Sequence, residues 1–133
     1  MKHSRPRLIL LFNHSLTQSH EADACGSLGI EKNIAPPDEL QRGWSNVPPE
    51  IEGVKDWLAS LFSWLAINSR PGDYILIQGE FGAVYLAVGE ALRLGLRPIY
   101  STTRREAHEE CLEDGSVRLV HRFRHVRFRE YGK

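Results

Sequence analysis

The stretch at residues 72–105 constrains the fold more than any other part of the chain. Tyr74–Ile77 is a short, continuous apolar run after a Pro-Gly-Asp turn signal, as expected of a strand buried on both faces of a parallel sheet. Apolar residues then recur at helical spacing until Gly95, and a second strand begins at Pro98. Two strands joined by one helix are expected to be parallel, with a right-handed connection. The stretch therefore predicts an α/β fold.

The sequence before this unit supplies further elements of the same kind. Residues 8–12 are predicted to form the first, central strand, residues 17–27 a helix that ends at Gly29, residues 30–35 a brief strand and residues 38–41 a helical turn. The side chains of the first helix that are expected to face inward are Ala24, Cys25 and Leu28.

The longest helix is predicted over residues 50–69. Its apolar side chains recur at the i, i+3, i+4 spacing of a buried stripe. The members of this stripe are Ile51, Val54, Trp57, Leu58, Leu61, Trp64 and Leu65. We interpret Trp57 and Trp64 as core or dimer-interface residues, not as cofactor contacts.

The C-terminal segment is predicted to form a β-hairpin. Residues 106–112 favour a helix by propensity, but the Asp114-Gly115 pair that follows indicates a hairpin turn between two antiparallel strands. The apolar residues of the last strand change parity along its length, which predicts a bulge near Arg124 and His125.

This last strand also carries histidines and arginines. His121 and His125 have the four-residue spacing of a helical metal pair, but in a strand they lie roughly 13 Å apart, so we predict no metal site. Five arginines form a basic ribbon with interleaved aromatic residues, which is either a solvated edge that guards against aggregation or an anion-binding surface. These arginines are Arg118, Arg122, Arg124, Arg127 and Arg129.

Together these elements predict a single domain over residues 1–133: a small Rossmann-like domain with a mainly parallel central sheet flanked by helices and a C-terminal β-hairpin. The 17 basic and 17 acidic residues cancel, which argues against general nucleic-acid binding. Cys25 and Cys111 are too few for a disulfide framework or a zinc site, which indicates a reducing cytoplasm. Residues 8–12 are too short an apolar run for a membrane span, and residues 1–7 are expected to be a frayed, basic lead-in.

Ligands of a β-α-β unit bind beyond the carboxyl ends of its strands, here at residues 78–82 and 101–105. Gly79 and Gly82 lack a Cβ, so the backbone amides beside them could approach an anion closely, whereas the Glu80 carboxylate would repel it. A plain strand-to-helix turn with an acidic residue favoured by the helix dipole is the alternative. The second segment offers three hydroxyls and two guanidinium groups, from Ser101, Thr102, Thr103, Arg104 and Arg105.

Two further segments contribute candidate residues. The first strand delivers Asn13, His14 and Ser15 to its carboxyl end, where His14 is either a turn residue or a catalyst. The loop that contains Trp44 and Asn46 pairs an aromatic plane with polar tips. Such a plane either stacks on a nucleobase or packs beneath its own loop as a plug.

Five motifs in order carry a family resemblance over nearly the whole chain. They are residues 12–17 (FNHSLT), 44–49 (WSNVPP), 78–83 (QGEFGA), 102–104 (TTR) and 125–129 (HVRFR). The chain thereby resembles a small, stand-alone family of type III CRISPR-associated proteins, which are CARF-like, Rossmann-type ring nucleases. The resemblance implies that the protein binds cyclic oligoadenylate, the second messenger made on detection of foreign RNA, and degrades it to end the signal. We expect a homodimer, because a chain of this size exposes one set of strand-end loops and could grip only about half of such a ring.

The chemistry implied by the resemblance needs no metal and no cofactor. A ribose 2′-hydroxyl can attack its neighbouring phosphate in line, while guanidinium groups stabilise the developing charge. We predict His14 as the general base or acid, with His125 and Arg127 as the second choice, and Arg105 as a further charge-stabilising residue. The predicted ligand-binding residues are Asn13, Ser15, Trp44, Asn46, Gln78, Gly79, Glu80, Phe81, Gly82, Ser101, Thr102, Thr103 and Arg104. A sensor that binds the messenger without cleaving it, and an unrelated nucleotide-binding α/β protein, are the alternatives.

Overall fold

A computed structural model of the protein describes residues 5–133 and consists of five strands and four helices over that range. The strands are β1 (Leu8–Leu11), β2 (Asn33–Ile34), β3 (Tyr74–Ile77), β4 (Arg97–Cys111) and β5 (Val117–Glu130). The helices are α1 (Gln18–Leu28), α2 (Asp38–Ser45), α3 (Ala59–Asn68) and α4 (Phe81–Arg93). None of the helices in residues 5–133 has the length and apolar character needed to cross a membrane.

All five strands form one sheet in the order β2-β1-β3-β4-β5. The pairs β1–β2, β1–β3 and β3–β4 are parallel, and β5 is an antiparallel edge strand. The predicted α/β fold, with a mainly parallel sheet, flanking helices and a C-terminal hairpin, is therefore confirmed. In this order the chain leaves β1 toward one edge and returns at β3 toward the other, so the carboxyl ends of β1 and β3 form the topological switch point where ligands of such sheets bind.

The sheet is covered on both faces, and each face has its own apolar core. On one face Ile9, Leu11, Ile75 and Ile77 pack against residues of α2, α3, α4 and their connections. These include Trp44, Leu61, Leu65, Ala83, Ala87 and Ala91. On the other face Leu8, Leu76 and Ile99 pack with Ala24 of α1, Ile30 and Phe128. This double burial explains why β3 is apolar at every position.

The first described residues are tied to the sheet by an ion pair. The Arg7 guanidinium donates to Asp73 Oδ2 at 2.6 Å, and the Arg7 backbone N–H donates to Asp73 Oδ1 at 3.1 Å. The Arg5 side chain donates to the Gly29 carbonyl. The predicted fraying of residues 1–7 is therefore wrong for Arg5–Arg7, and residues 1–4 lie outside the described part of the chain.

Several predicted helix features need correction. Helix α1 begins after its N-cap Thr17 and ends at the left-handed Gly29, as predicted, but Cys25 is exposed and does not face inward. The helical turn expected at residues 38–41 is a full helix, α2. The long helix predicted at residues 50–69 is wrong in its first half, because only Ala59–Asn68 is α-helical and turns precede it. Pro48, Pro49 and Gly53 interrupt helix formation at that point.

The hairpin extends well beyond the rest of the sheet. Residues 97–99 of β4 pair with β3, whereas β4 and β5 pair with each other from Ile99–Glu130 out to Cys111–Val117. The strand interpretation of residues 106–112 is confirmed. The register shifts where Thr102 faces Arg127 and Thr103 faces His125, so Val126 is the extra residue of a bulge beside the predicted position.

Candidate functional site

A cleft of about 550 Å³ opens at the carboxyl edge of the sheet on the α1 side. Its walls come from the end of β1, the start of α1, the end of β3 and the inner part of the hairpin. The residues that line it are Phe12, His14, Ser15, Thr17, Ser19, His20, Gln78, Ser101, Thr103, Glu106, His108, Arg122, Phe123, Arg124 and His125. The cleft therefore lies where the strand order predicts a ligand site.

Gln78 connects the strands at the base of the cleft. Its side-chain Oε1 accepts a hydrogen bond from the Ser101 backbone N–H at 2.7 Å, and its own backbone N–H donates to the Leu11 carbonyl. Its backbone carbonyl accepts from Trp44 Nε1 on the opposite side of the sheet. The carboxyl ends of β1 and β3 are thus joined to β4 at Ser101 through one residue.

The centre of the cleft wall is a hydrogen-bonded series of three side chains. His125 Nδ1 lies 2.5 Å from Ser101 Oγ, and His125 Nε2 lies 2.7 Å from Asp23 Oδ2. The His125 side chain is only 2% exposed, whereas that of Asp23 is 20% exposed. A buried imidazole with both ring nitrogens paired has a fixed orientation.

Asp23 is held as a carboxylate. Burial alone would raise its pKa, but hydrogen bonds from Ser27 and His125 and from the Phe128 backbone outweigh that effect and lower the pKa below its ordinary value. Ser27 Oγ donates to Asp23 Oδ1 at 2.5 Å. Both carboxylate oxygens are therefore hydrogen-bonded, Oδ1 to Ser27 and Oδ2 to His125.

His20 packs against this series from α1. Its ring centroid lies 4.6 Å from that of His125, and its Nδ1 accepts a hydrogen bond from the Thr17 backbone N–H at 3.0 Å. Burial first, and then the neighbouring His125, lower the pKa of His20, although Asp23 opposes the shift. These effects favour the uncharged form of this second imidazole.

The cleft concentrates groups that can transfer protons and stabilise negative charge. Four of the six histidines of the chain line it, namely His14, His20, His108 and His125. Arg122 and Arg124 also line it, together with the acidic residue Glu106, whose Oε1 lies 4.0 Å from Arg124 Nη1. Imidazoles titrate near neutral pH and guanidinium groups bind phosphate oxygens, so this set of side chains suits an anionic, phosphate-bearing ligand.

Six of the predicted site residues meet in the cleft. They come from four segments of the sequence and are His14, Ser15, Gln78, Ser101, Thr103 and His125.

Other predicted residues lie beside the cleft, and most of these have partners of their own. Asn13 Oδ1 accepts from Ser45 Oγ, and the Asn46 side chain donates to the Arg42 carbonyl. Thr102 Oγ1 both donates to the Arg127 carbonyl and accepts from the Arg127 N–H, so it bridges the bulge on the opposite face of the hairpin. Arg104 and Arg105 are exposed on the hairpin.

Trp44 packs beneath its loop as a plug. It is 1% exposed, and its Nε1 donates to the Gln78 carbonyl at 3.1 Å. A Cβ at Gly79 would lie 3.0 Å from that nitrogen, so the glycine is required by the indole packed on it. Stacking of Trp44 on a nucleobase and close approach of an anion at Gly79 would both require this contact to open.

The amides at the start of α4 are occupied by the chain itself. Glu80 is the N-cap, and its two carboxylate oxygens accept from the backbone N–H groups of Gly82 at 2.8 Å and Ala83 at 3.0 Å. Its carboxylate therefore stands where an anionic ligand was expected, in agreement with the plain strand-to-helix turn. Phe81 is 93% exposed on the outer face of α4, away from the cleft.

The sequence prediction missed Asp23, His20, His108 and Glu106, and named Arg122 and Arg124 only as part of a basic ribbon. A partial signal exists for His20, because a side chain three residues after a Thr N-cap occupies the capping-box position. Asp23 and His125 are separated by 102 residues, and no local pattern relates them.

Within residues 5–133, no group of three or more His, Cys, Asp or Glu side chains is arranged to hold a metal ion.

Comparison with known proteins identifies relatives of the whole chain. Residues 6–129 match the sequence model of the family described as "Uncharacterized protein MJ1673 family". The chain is 41% identical over 126 residues to the uncharacterized protein MJ1673 of Methanocaldococcus jannaschii, an alignment that covers 95% of this chain and 97% of that protein. No solved structure matches the chain.

Proposed function

The chain belongs to the MJ1673 family, and we propose that it is a ring nuclease that cleaves cyclic oligoadenylate without a metal ion. The observation that carries this proposal is the cleft, whose lining gathers four histidines and two arginines at the carboxyl edge of the sheet. The proposed ligand follows from the resemblance of the sequence motifs to stand-alone CRISPR-associated ring nucleases. We propose cyclic tetra-adenylate as the substrate. Such a protein acts in the cytoplasm and ends the antiviral signal.

The proposed reaction is an in-line transesterification. The ribose 2′-oxygen forms a bond to the neighbouring phosphorus, the bond from phosphorus to the 5′-oxygen of the next nucleotide breaks, and the products carry a 2′,3′-cyclic phosphate and a 5′-hydroxyl. Holding the 2′-oxygen in line with the leaving oxygen supplies up to about 7–11 kcal/mol of the barrier reduction. One group must accept the 2′-hydroxyl proton, and another must donate a proton to the leaving oxygen.

The geometry gives each kind of group a candidate. Exposed His14 at the end of β1 is free to approach the leaving oxygen as the general acid. Arg124 and Arg122 replace Arg105 and Arg127 as the residues expected to stabilise charge, because they line the cleft. Gln78 and Thr103 offer polar contacts at its base.

The direct test is incubation of the purified protein with cyclic tetra-adenylate in EDTA, followed by chromatographic separation of the products. Linear fragments that end in 2′,3′-cyclic phosphate are expected. Tight binding without products would replace the nuclease with a messenger-binding sensor. Absence of binding to rings of four or six nucleotides would overturn both readings.

Two arginine variants link the reaction to the cleft. Arg124→Ala removes a cleft guanidinium and should lower kcat on the order of 10²-fold, which is typical for loss of one transition-state donor. Arg127→Ala is the matched control, because it removes the same charge from the same strand at a position that does not line the cleft. Equal losses in both variants would show that the arginines act only through net charge.

We also propose that two copies of the chain share one ring, with α4 as the contact. Phe81, Tyr85 and Leu92 are 93%, 80% and 60% exposed. Together with half-buried Val88 they follow at intervals of four, three and four residues, the spacing of a two-helix seam. An apolar helix face of this length is rare on a monomer surface.

The direction of packing follows from the position of the cleft. Helix α4 begins directly beyond the carboxyl end of β3, so a two-fold axis along the strands packs the two helices in parallel and opens both clefts toward the same end. The dimer then presents two identical clefts at one end, in keeping with the repeated phosphates of a ring. Antiparallel packing would instead point the clefts in opposite directions.

Cysteine cross-linking distinguishes these arrangements. In a background in which exposed Cys25 and Cys111 are replaced by Ser, a short bis-maleimide reagent should cross-link Phe81→Cys chains to each other. If the helices pack antiparallel, the reagent should instead link Phe81→Cys chains to Leu92→Cys chains in a mixture of the two variants. Each variant alone should then stay unlinked. A monomer by light scattering, with Tyr85→Glu unchanged in mass from the parent, would refute the dimer.

A further inference from the structure

We infer that Asp23 is a positioning residue which, through His125, makes the Ser101 hydroxyl the proton acceptor of the cleft. The substrate of this relay rests on the proposed nuclease function, whereas the hydrogen-bonded series does not depend on it. Ser101, His125 and Asp23 come from β4, β5 and α1, and two hydrogen bonds of 2.5 Å and 2.7 Å join them in series.

The charge state of Asp23 sets the direction of both hydrogen bonds. An ionised carboxylate can only accept, so the short contact with Asp23 Oδ2 requires His125 Nε2 to carry a proton and donate it. In its neutral form the His125 imidazole then has its one N–H on Nε2, which leaves Nδ1 with a free lone pair. The group 2.5 Å from that lone pair is Ser101 Oγ, which must therefore donate. This is the polarity of a Ser-His-Asp triad with the two ring nitrogens exchanged.

Burial sets the order in which substrate meets the three groups. The His125 side chain is 2% exposed and has both nitrogens engaged, so its route to a ligand runs through Ser101. Ser101 is 8% exposed and lines the cleft, and its backbone N–H is fixed by Gln78 Oε1. Asp23 lies behind His125 on α1, where Ser27 Oγ holds its other oxygen.

The proton balance of the relay is complete with these groups. As the ribose 2′-oxygen bonds to phosphorus, its proton passes to Ser101 Oγ, and the Ser101 proton passes to His125 Nδ1. The resulting imidazolium is paired with the Asp23 carboxylate, so no uncompensated charge is buried. The leaving 5′-oxygen takes its proton from His14 or solvent. After the products leave, His125 returns its proton through Ser101 to water.

The first test reads the His125 tautomer directly. Two-bond proton–nitrogen NMR correlation on protein with labelled histidine, at a pH where the imidazoles are neutral, should show the His125 proton on Nε2 in the parent. An Asp23→Ala variant should lose this preference and populate the Nδ1–H form. A proton on Nδ1 in the parent would overturn the inference. Because no substrate is present, this result stands even if the parent cleaves no ring.

The second test measures turnover. Asp23→Ala and Ser101→Ala should each lower kcat by about 10²- to 10⁴-fold with little change in KM, as loss of a positioned general base does. The matched control is Glu21→Ala, which removes an exposed carboxylate from the same helix at a position that does not line the cleft, and it should stay within a fewfold of the parent. Parent-like kcat in a folded Asp23→Ala protein, or a covalent adduct on Ser101 by mass spectrometry, would refute the relay.

Discussion

Asp73 is expected to be one of the most important polar side chains for stability. It is 1% exposed and accepts hydrogen bonds from the Arg7 backbone and side chain and from the Arg70 backbone. Asp73→Ala leaves Arg7, whose side chain is 15% exposed, without its buried partner. Breaking such a pair costs about 3–5 kcal/mol. The unfolding entropy of a chain of 133 residues is roughly 0.28 kcal/mol/K, so Tm should fall by about 11–18 °C.

The assay is thermal unfolding followed by circular dichroism, with Asp56→Ala as the control because Asp56 is acidic but exposed.

The effect of Asp73→Ala should also depend on pH. Burial would raise the pKa of Asp73, but hydrogen bonds from Arg7 and Arg70 outweigh it and lower the pKa. A lowered folded-state pKa gives stability that is present above the unfolded pKa, near 3.9, and lost as pH falls through the folded value. The Tm gap between parent and variant should therefore narrow in strong acid. A gap below about 3 °C at pH 7 would refute the reasoning.

Three further predictions concern the carboxyl edge of the sheet and the reaction. Gly79→Ala should lower the free energy of unfolding by about 1–3 kcal/mol through overpacking against Trp44. Denaturant unfolding should show a smaller effect of Gly79→Ala in a Trp44→Phe background than in the parent. Glu80→Ala should cost about 0.5–2 kcal/mol through loss of the α4 cap, whereas Glu80→Asp should cost less; equal losses would contradict a capping role. Ring cleavage should proceed at an unchanged rate in EDTA, and loss of turnover that magnesium or manganese restores would show that a metal takes part.

The fold was predictable because its signals are local. The apolar run of β3, the helical spacing after it and the turn at Gly95 lie within one short stretch, and each depends on near neighbours. The bulge in β5 was visible as a change of parity along one strand. The error at residues 50–69 has a local cause as well, because the apolar spacing there continues through Pro- and Gly-containing turns that helical propensity disfavours.

The site was only partly predictable. Strand order follows from connection rules, so His14, Gln78 and Ser101 could be expected at one edge of the sheet before their contacts were known. Which groups of the chain itself occupy that edge could not be predicted. Glu80 takes the free amides of α4 for its own carboxylate, and Trp44 fills the space above Gly79.

The sequence by itself determined most of the elements, the parallel pairing of β3 with β4 and the edge at which polar side chains collect, because hydrophobic period and turn chemistry act over a few residues. The tertiary structure decided which of those side chains meet. Asp23 reaches His125 across 102 residues because α1 packs on the sheet face below the hairpin, and the bulge at Val126 sets the register that places His125 beside Ser101. A contact of this kind depends on packing distances between whole elements, which no short stretch of sequence encodes.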